Sequence, residues 1–181
     1  QSSRSETFLA DYQGRGQAAD AEMALDKNGN VLALRINILA DLGAFLGPRG
    51  STAPNMWRTM GASVYDLPVV DYNVRAIHTH NMPTCPYRGA GAPEAVFIIE
   101  RLFDMAAAKL GLSAGDIRRK NLISAEAMPF KTAIGTTLDS GDFAQVMDSA
   151  ERMADLSGFD ARKAESAAQG RLRGLGYGNL L

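Results

Sequence analysis

Residues 83–94 read Pro-Thr-Cys-Pro-Tyr-Arg-Gly-Ala-Gly-Ala-Pro-Glu, directly ahead of a long segment with an apolar stripe at helical spacing. Gly89 and Gly91 stand two apart, so the backbone can turn sharply there and come close to another surface. Pro93 suits the first helical position, where its missing N–H costs nothing. Ala92 before it has no side-chain oxygen with which to cap the helix. The first-turn N–H groups are thereby left for water, a carbonyl or an anion. Arg88 adds a positive charge just upstream. These residues predict a loop that holds a polar or anionic group against a helix start.

Other reactive residue types offer less. His78 and His80 lie two apart, on one face if the segment is a strand, and Cys85 follows five residues later. Imidazoles and a thiolate are zinc ligands, but a closed site wants a fourth, and these are the only two histidines. Ordinary packing or hydrogen bonding is the expected role, and no metal-binding residue is assigned. A nucleophilic Cys85 would need a base and a positive field, and a single cysteine before a proline supplies neither. Glu94, Asp116, Asp139, Asp142 and Asp160 fall at helix starts, where capping and the helix dipole explain them. No acid/base pair stands out. The Gly-x-Gly lacks the glycine spacing of the Rossmann fingerprint and of the P-loop, which disfavours a standard dinucleotide or nucleoside triphosphate site.

The elements that must position this loop divide by region, with 18–80 mainly strands and 93–170 mainly helices. Ala21, Met23 and Leu25 alternate with polar or small neighbours, and Asn28-Gly29 favours a turn with positive φ. Leu32, Leu34, Ile36 and Ile38 then share one face, which predicts a hairpin with one buried side. Glycines and prolines break residues 43–68, leaving a short helix around 53–62 with Trp57 and Met60. Residues 71–79 read as a strand with Tyr72, Val74, Ala76 and His78 on one face. A helix follows over 93–110, with Val96, Ile99, Phe103, Ala106 and Leu110 on a stripe and Gly111 as its stop. Ser113 and Asp116 resemble a capping box for a helix to about Leu122. Asp139 or Ser140 caps a helix bearing Phe143, Val146, Met147, Ala150 and Met153, and Asp160 caps a last one ending near Gln169. Residues 171–181 read as the start of a further strand. Strands first and helices later give an α+β class, a hairpin-based mixed sheet packed with several helices.

Composition narrows the function classes. The 181 residues are 46% hydrophobic and 22% charged, enough for one domain with a real core. Nineteen basic against twenty acidic residues give a net charge of −1, with no basic footprint for nucleic acid. The run Arg118-Arg119-Lys120 reads as a solvated helix face. One cysteine allows no internal disulfide and fits a reducing, cytoplasmic setting. No stretch approaches the roughly 20 apolar residues of a membrane span. The chain opens in mid-pattern and stops at Gly-Tyr-Gly-Asn-Leu-Leu, so a piece of a longer polypeptide is expected, whose trimmed surfaces favour self-association. From the residues alone, a stand-alone α+β binding or interaction domain, with no catalytic role, remains the alternative.

The string Pro86-Tyr87-Arg88-Gly89-Ala90-Gly91-Ala92-Pro93-Glu94-Ala95 resembles the cofactor-proximal loop of the molybdenum hydroxylases, the family of xanthine dehydrogenase, aldehyde oxidase and bacterial carbon monoxide dehydrogenase large subunits. Arg4-Ser5-Glu6 with Gly14-Arg15-Gly16-Gln17, Asp41-Leu42-Gly43-Ala44-Phe45, the 117–123 stretch, the 139–143 stretch and the 171–176 stretch resemble further family strings in the right order. The resemblance implies a fragment of a molybdopterin-binding domain over residues 1–181. In the parent it implies a molybdenum cytosine dinucleotide cofactor and hydroxylation of an aldehyde or N-heteroaromatic substrate with oxygen from water. It implies iron–sulfur and FAD subunits as partners. Cofactor-binding residues by this resemblance are Tyr87, Arg88, Gly89, Ala90 and Gly91, while the catalytic glutamate is expected beyond residue 181. The isolated chain is therefore expected to be inactive and cofactor-free. Gly89 stands where the carbon monoxide enzymes carry a copper-binding cysteine, and Ala90 where the purine enzymes carry an aromatic ring. Both departures point away from those two substrates. Ala92 stands where many bacterial relatives have Arg, which removes one polar contact.

Overall fold

A computed structural model describes residues 1–181. Its elements run α1 (Arg4–Ala10), β1 (Gln17–Leu25), β2 (Val31–Asp41), α2 (Thr52–Asn55), α3 (Trp57–Met60), β3 (Val70–Ile77), α4 (Ala92–Leu110), α5 (Ala114–Asn121), β4 (Phe130–Lys131), β5 (Thr137–Leu138), α6 (Phe143–Met153) and α7 (Phe159–Ala168). The main sheet has the order β1-β2-β3, with β1 antiparallel and β3 parallel to β2. It is the mixed, hairpin-based α+β architecture expected. No helix is long and apolar enough to cross a membrane.

The hairpin turn follows from Asp26 and Gly29. Asp26 accepts from the Asn28 and Asn30 N–H groups and from the Asn30 side chain, while Gly29 takes φ +86°. One expectation fails here. Leu25 pairs with Val31 and Ala24 with Ala33, so Leu32 has no partner and the register shifts. Such a bulge swaps faces: Val31 is buried and Leu32 is exposed.

Leu34, Ile36, Ile38 and Ala40 of β2 join Ala95, Ile99, Phe103 and Ala106 of α4 in one core, closed by Trp57, Tyr65 and Ile117. Val96 and Leu110, expected on the α4 stripe, are only half-buried, and Ala95 takes the central place. Gly111 ends α4 at φ +68°, as expected. Tyr72 and Val74 of β3 lean on the core while Ala76 and His78 are exposed.

Several boundaries differ from the expectation. Asp142, not Asp139 or Ser140, caps α6 by accepting from the Gln145 N–H. Gly158 precedes α7 without a side-chain cap, and Asp160 sits within its first turn. Only half of the Ser113 capping box forms: Ser113 accepts from the Asp116 N–H, with no return bond. Residues 171–181 form no strand, because no neighbouring strand offers them a ladder. Side chains hold them instead. Asn179 donates from its backbone to Glu100 and from its side chain to Tyr65, and Tyr177 donates to Glu151.

The reading of Arg118 as solvated is also corrected. Its side chain is fully buried, and it donates to the Glu100 carboxylate at 2.6 Å, the Asp104 carboxylate at 2.8 Å and two backbone carbonyls. Only Arg119 and Lys120 of that run reach solvent.

Candidate functional site

The approach to residues 87–91 is fixed by Asp41, the last residue of β2. Its Oδ1 accepts from the Gly43 N–H and the Thr79 hydroxyl, each at 2.7 Å, and its Oδ2 from the Asn81 side chain at 2.5 Å. The amide of Asn81, then the Thr79 hydroxyl, hold the Asp41 carboxyl below the usual carboxylate range. Its carbonyl accepts from the Thr84 hydroxyl at 2.9 Å. Gly43 is at φ +72°, and a Cβ there would collide with the Met82 carbonyl, so only glycine lets the two segments touch. On the other side, Gln13 donates to the Pro83 carbonyl and accepts from the Cys85 N–H. Residues 83–85 are thus gripped from both flanks.

The loop proper then turns through three consecutive positive φ angles: Gly89 at +94°, Ala90 at +47° and Gly91 at +102°. Two short turns close it, Ala90 N–H to the Tyr87 carbonyl at 2.7 Å and Ala92 N–H to the Gly89 carbonyl at 2.9 Å. Gly91, not Ala92, is the N-cap of α4, and Pro93 occupies the second helical position. The positive φ of Gly91 lets Ala92 already be helical. Gly91 is buried, and a Cβ on it would collide with the Ala53 carbonyl.

This geometry leaves the N–H groups of Tyr87, Arg88, Gly89, Gly91 and Glu94 with no acceptor in the protein. The Arg88 guanidinium makes no hydrogen bond or ion pair. The loop carboxylate, Glu94, is matched by Arg15 at 3.0 Å. A row of free N–H groups at the positive end of a 19-residue helix, beside an unpaired arginine, suits an anion or a carbonyl-rich ligand. Ala90 sits at a φ that costs an L-residue roughly 1–2 kcal/mol, the kind of strain that clusters at binding sites.

The five residues expected to bind a ligand, Tyr87, Arg88, Gly89, Ala90 and Gly91, are therefore one continuous turn. The other candidates lie apart from it in role. His78 contacts the Gly43 carbonyl through Nδ1 at 3.1 Å, and His80 is exposed. No three His, Cys, Asp or Glu side chains gather as a metal site would require. The Cys85 thiol donates to the Pro48 carbonyl at 2.8 Å. Two residues that shape the site were not singled out for it by their sequence: Arg15 and Asp41. Gly14 and Gly16 around Arg15 were the available signal, since paired glycines mark close approach.

A sequence profile described as "Molybdopterin cofactor-binding domain" matches residues 1–122, which include the whole loop and α4. The carbon monoxide dehydrogenase large chain of Hydrogenophaga pseudoflava is 33% identical over 168 residues, 90% of this chain and 20% of that one. The nicotine 6-hydroxylase large subunit of Paenarthrobacter nicotinovorans is 30% identical over 96% of this chain and 21% of its own length. The crystal structure of quinoline 2-oxidoreductase from Pseudomonas putida 86 superposes with a TM-score of 0.86 at 32% identity, covering 93% of this chain and 22% of that one. The chain thus spans about a fifth of the length of these relatives. With the profile covering two-thirds of it and the free-amide turn lying inside the match, the chain belongs to the molybdopterin cofactor-binding domain family.

Proposed function

We propose that Tyr87, Arg88, Gly89, Ala90 and Gly91 bind the pyranopterin part of a molybdenum cofactor, within the large subunit of a molybdenum-dependent hydroxylase or dehydrogenase. The observation that carries this reading is the row of unpartnered N–H groups on a strained turn beside an unpaired arginine. A pterin dinucleotide presents carbonyl, ring-nitrogen and phosphate acceptors, which is what such a row lacks and what a helix start favours. When bound, the cofactor supplies the two-electron oxidation and the protein supplies binding and orientation. Gly89 and Gly91 let the main chain lie against the cofactor, and Arg88 contributes positive charge.

N-heteroaromatic compounds and aldehydes are the substrates we assign to the whole enzyme, with water as the oxygen source. Relatives named for nicotine and quinoline support the first. Carbon monoxide is disfavoured because Gly89 offers no thiol and the Cys85 thiol is engaged at Pro48. Molybdenum cytosine dinucleotide, iron–sulfur and FAD subunits and a cytoplasmic setting complete the reading. We place the catalytic base outside these 181 residues; the loop carboxylate Glu94 is paired with Arg15.

The molybdopterin content of the whole large subunit carrying Arg88→Ala or Gly89→Val tests the binding. It should fall well below that of the unaltered subunit in both variants, and full content in both would overturn the assignment. The isolated chain should turn over neither quinoline nor benzaldehyde with an artificial electron acceptor, with or without added cofactor; measurable turnover would refute the proposal that the base lies elsewhere.

A further inference from the structure

We infer that Arg15 is a positioning residue for the 87–91 turn: it sets both the direction of the Gly89 N–H and the charge that a ligand meets there. Three contacts carry this. Arg15 Nη2 donates to the Arg88 carbonyl at 2.7 Å, Nη1 pairs with Glu94 Oε2 at 3.0 Å, and the guanidinium lies 5.2 Å from the centre of the Tyr87 ring. One side chain thereby reaches the first two residues of the turn and the helix beyond it. The local backbone is built for this reach. Gly14 approaches Tyr87 so closely that a Cβ would lie 3.2 Å from Tyr87 Cβ, and Arg15 itself adopts φ +64°.

The consequence for the site is geometric. In a trans peptide the carbonyl of one residue and the N–H of the next point in opposite directions. Holding the Arg88 carbonyl on the Arg15 side therefore aims the Gly89 N–H to the opposite side, outward from the protein's own acceptors. The electrostatic effect is separate. Glu94 carries a negative charge in the first turn of α4, where it would repel an anionic ligand. Arg15 neutralises it and leaves the Arg88 charge uncommitted.

This inference rests on the cofactor-binding reading for its purpose but not for its first test. In the ligand-free chain, Arg15→Ala and Arg15→Lys are compared with the parent. A lysine keeps a charge near Glu94 but has no planar fork to hold Glu94 and the Arg88 carbonyl together. Loss of the carbonyl bond should shift the Gly89 ¹⁵N resonance and lower the heteronuclear NOE over 87–91 in both variants. Signals from β2 and the second half of α4 should stay in place, and the thermal midpoint should hold. Trypsin cleavage after Arg88 should become about tenfold faster in Arg15→Ala. An unchanged Gly89 resonance and cleavage rate, or a loss spread evenly over the whole chain, would overturn the role of Arg15. The molybdopterin content of the whole large subunit is the second arm. It should fall about tenfold in Arg15→Ala, with Arg15→Lys in between. If the unaltered subunit holds no molybdopterin while the turn still loosens in the variants, the cofactor reading fails and the positioning of the turn stands. If the unaltered subunit holds molybdopterin and Arg15→Ala holds as much, the positioning role fails alone.

Discussion

Replacing Arg118 by Met should remove the buried cation that ties α4 to α5 while keeping most of the side-chain volume. Arg118 is fully buried and Glu100 is 5% exposed, so neither charge has water to fall back on. Burial opposes the charge on Arg118, but the hydrogen bond and charge of Glu100, with the hydrogen bond of Asp104, outweigh it and raise its pKa. Tyr65 is likewise pushed up, first by burial and then by the Glu100 charge, so its phenol stays protonated and donates to Glu100 Oε1 at 2.7 Å. In the variant Glu100 keeps the Tyr65 and Asn179 donors but loses its counter-ion. Removing one partner of a buried pair costs about 3–5 kcal/mol. Asp104 is 41% exposed on its side chain and can turn to water, so it adds little. The expected loss is thus of order 4 kcal/mol, a large part of the 5–15 kcal/mol that holds a typical domain. Urea titration followed by circular dichroism reads it directly. The paired change Arg118→Met with Glu100→Gln removes both charges while Gln still accepts from Tyr65 and Asn179, and it should regain at least about 1 kcal/mol. A single-variant loss under about 1 kcal/mol, or a double variant no more stable than the single, would refute the claim that charge compensation holds this helix pair.

Two further outcomes follow from the site. Gly91→Ala places a Cβ against the Ala53 carbonyl at φ +102°, so it should cost about 2–4 kcal/mol and displace the turn, seen as a lower unfolding midpoint and a shifted Gly89 amide resonance. Asp41→Asn tests the anchor before the loop. The folded protein holds the Asp41 carboxyl below its ordinary value of about 4, so its charge adds stability above that pH that fades as the pH falls through the folded value. The stability gap between parent and Asp41→Asn should be widest near neutrality and close below about pH 4, measured by urea midpoints at several pH values. A gap that stays constant with pH would remove the carboxylate's charge from the argument.

What the sequence disclosed depended on how local each cause was. The Gly-x-Gly-x-Pro turn, the Asp26–Gly29 hairpin and the Gly111 stop are set by neighbours within a few residues, and each could be read directly. Ser3-Arg4-Ser5-Glu6 was equally local: Ser3 accepts from the Glu6 N–H and Glu6 returns the bond at 2.7 Å, a full capping box that opens α1. That helix start is legible in four consecutive residues. The Leu32 bulge was not legible, because alternation predicts a face only while the register holds. Arg118 misled for the opposite reason. A basic triplet reads as solvent-facing, and its carboxylate partner stands 18 residues earlier on another helix. The Arg15 clamp joins residues 73 and 79 apart, beyond any local pattern. The family resemblance reached further than the residue physics for the same reason: ordered motifs across the chain encode long-range contacts that no single window displays.

The strained turn at Ala90 persists because its surroundings over-determine it. Thr84 is tied to Asp41 and Leu42 on one flank and the segment around it to Gln13 on the other. Arg15 holds Arg88 and Glu94, and Gly91 is wedged against Ala53. Beyond the turn, α4 runs straight into the core through Ala95, Ile99 and Phe103, and its Glu100 is locked by Arg118. A loop held at both ends and along its length has little freedom left to lose when a ligand arrives. Its free N–H groups cannot relieve themselves by folding back onto the protein's own carbonyls without breaking one of those restraints. The free donors are thus a consequence of the scaffold, and whatever completes their hydrogen bonding, water or a bound acceptor, comes from outside the protein.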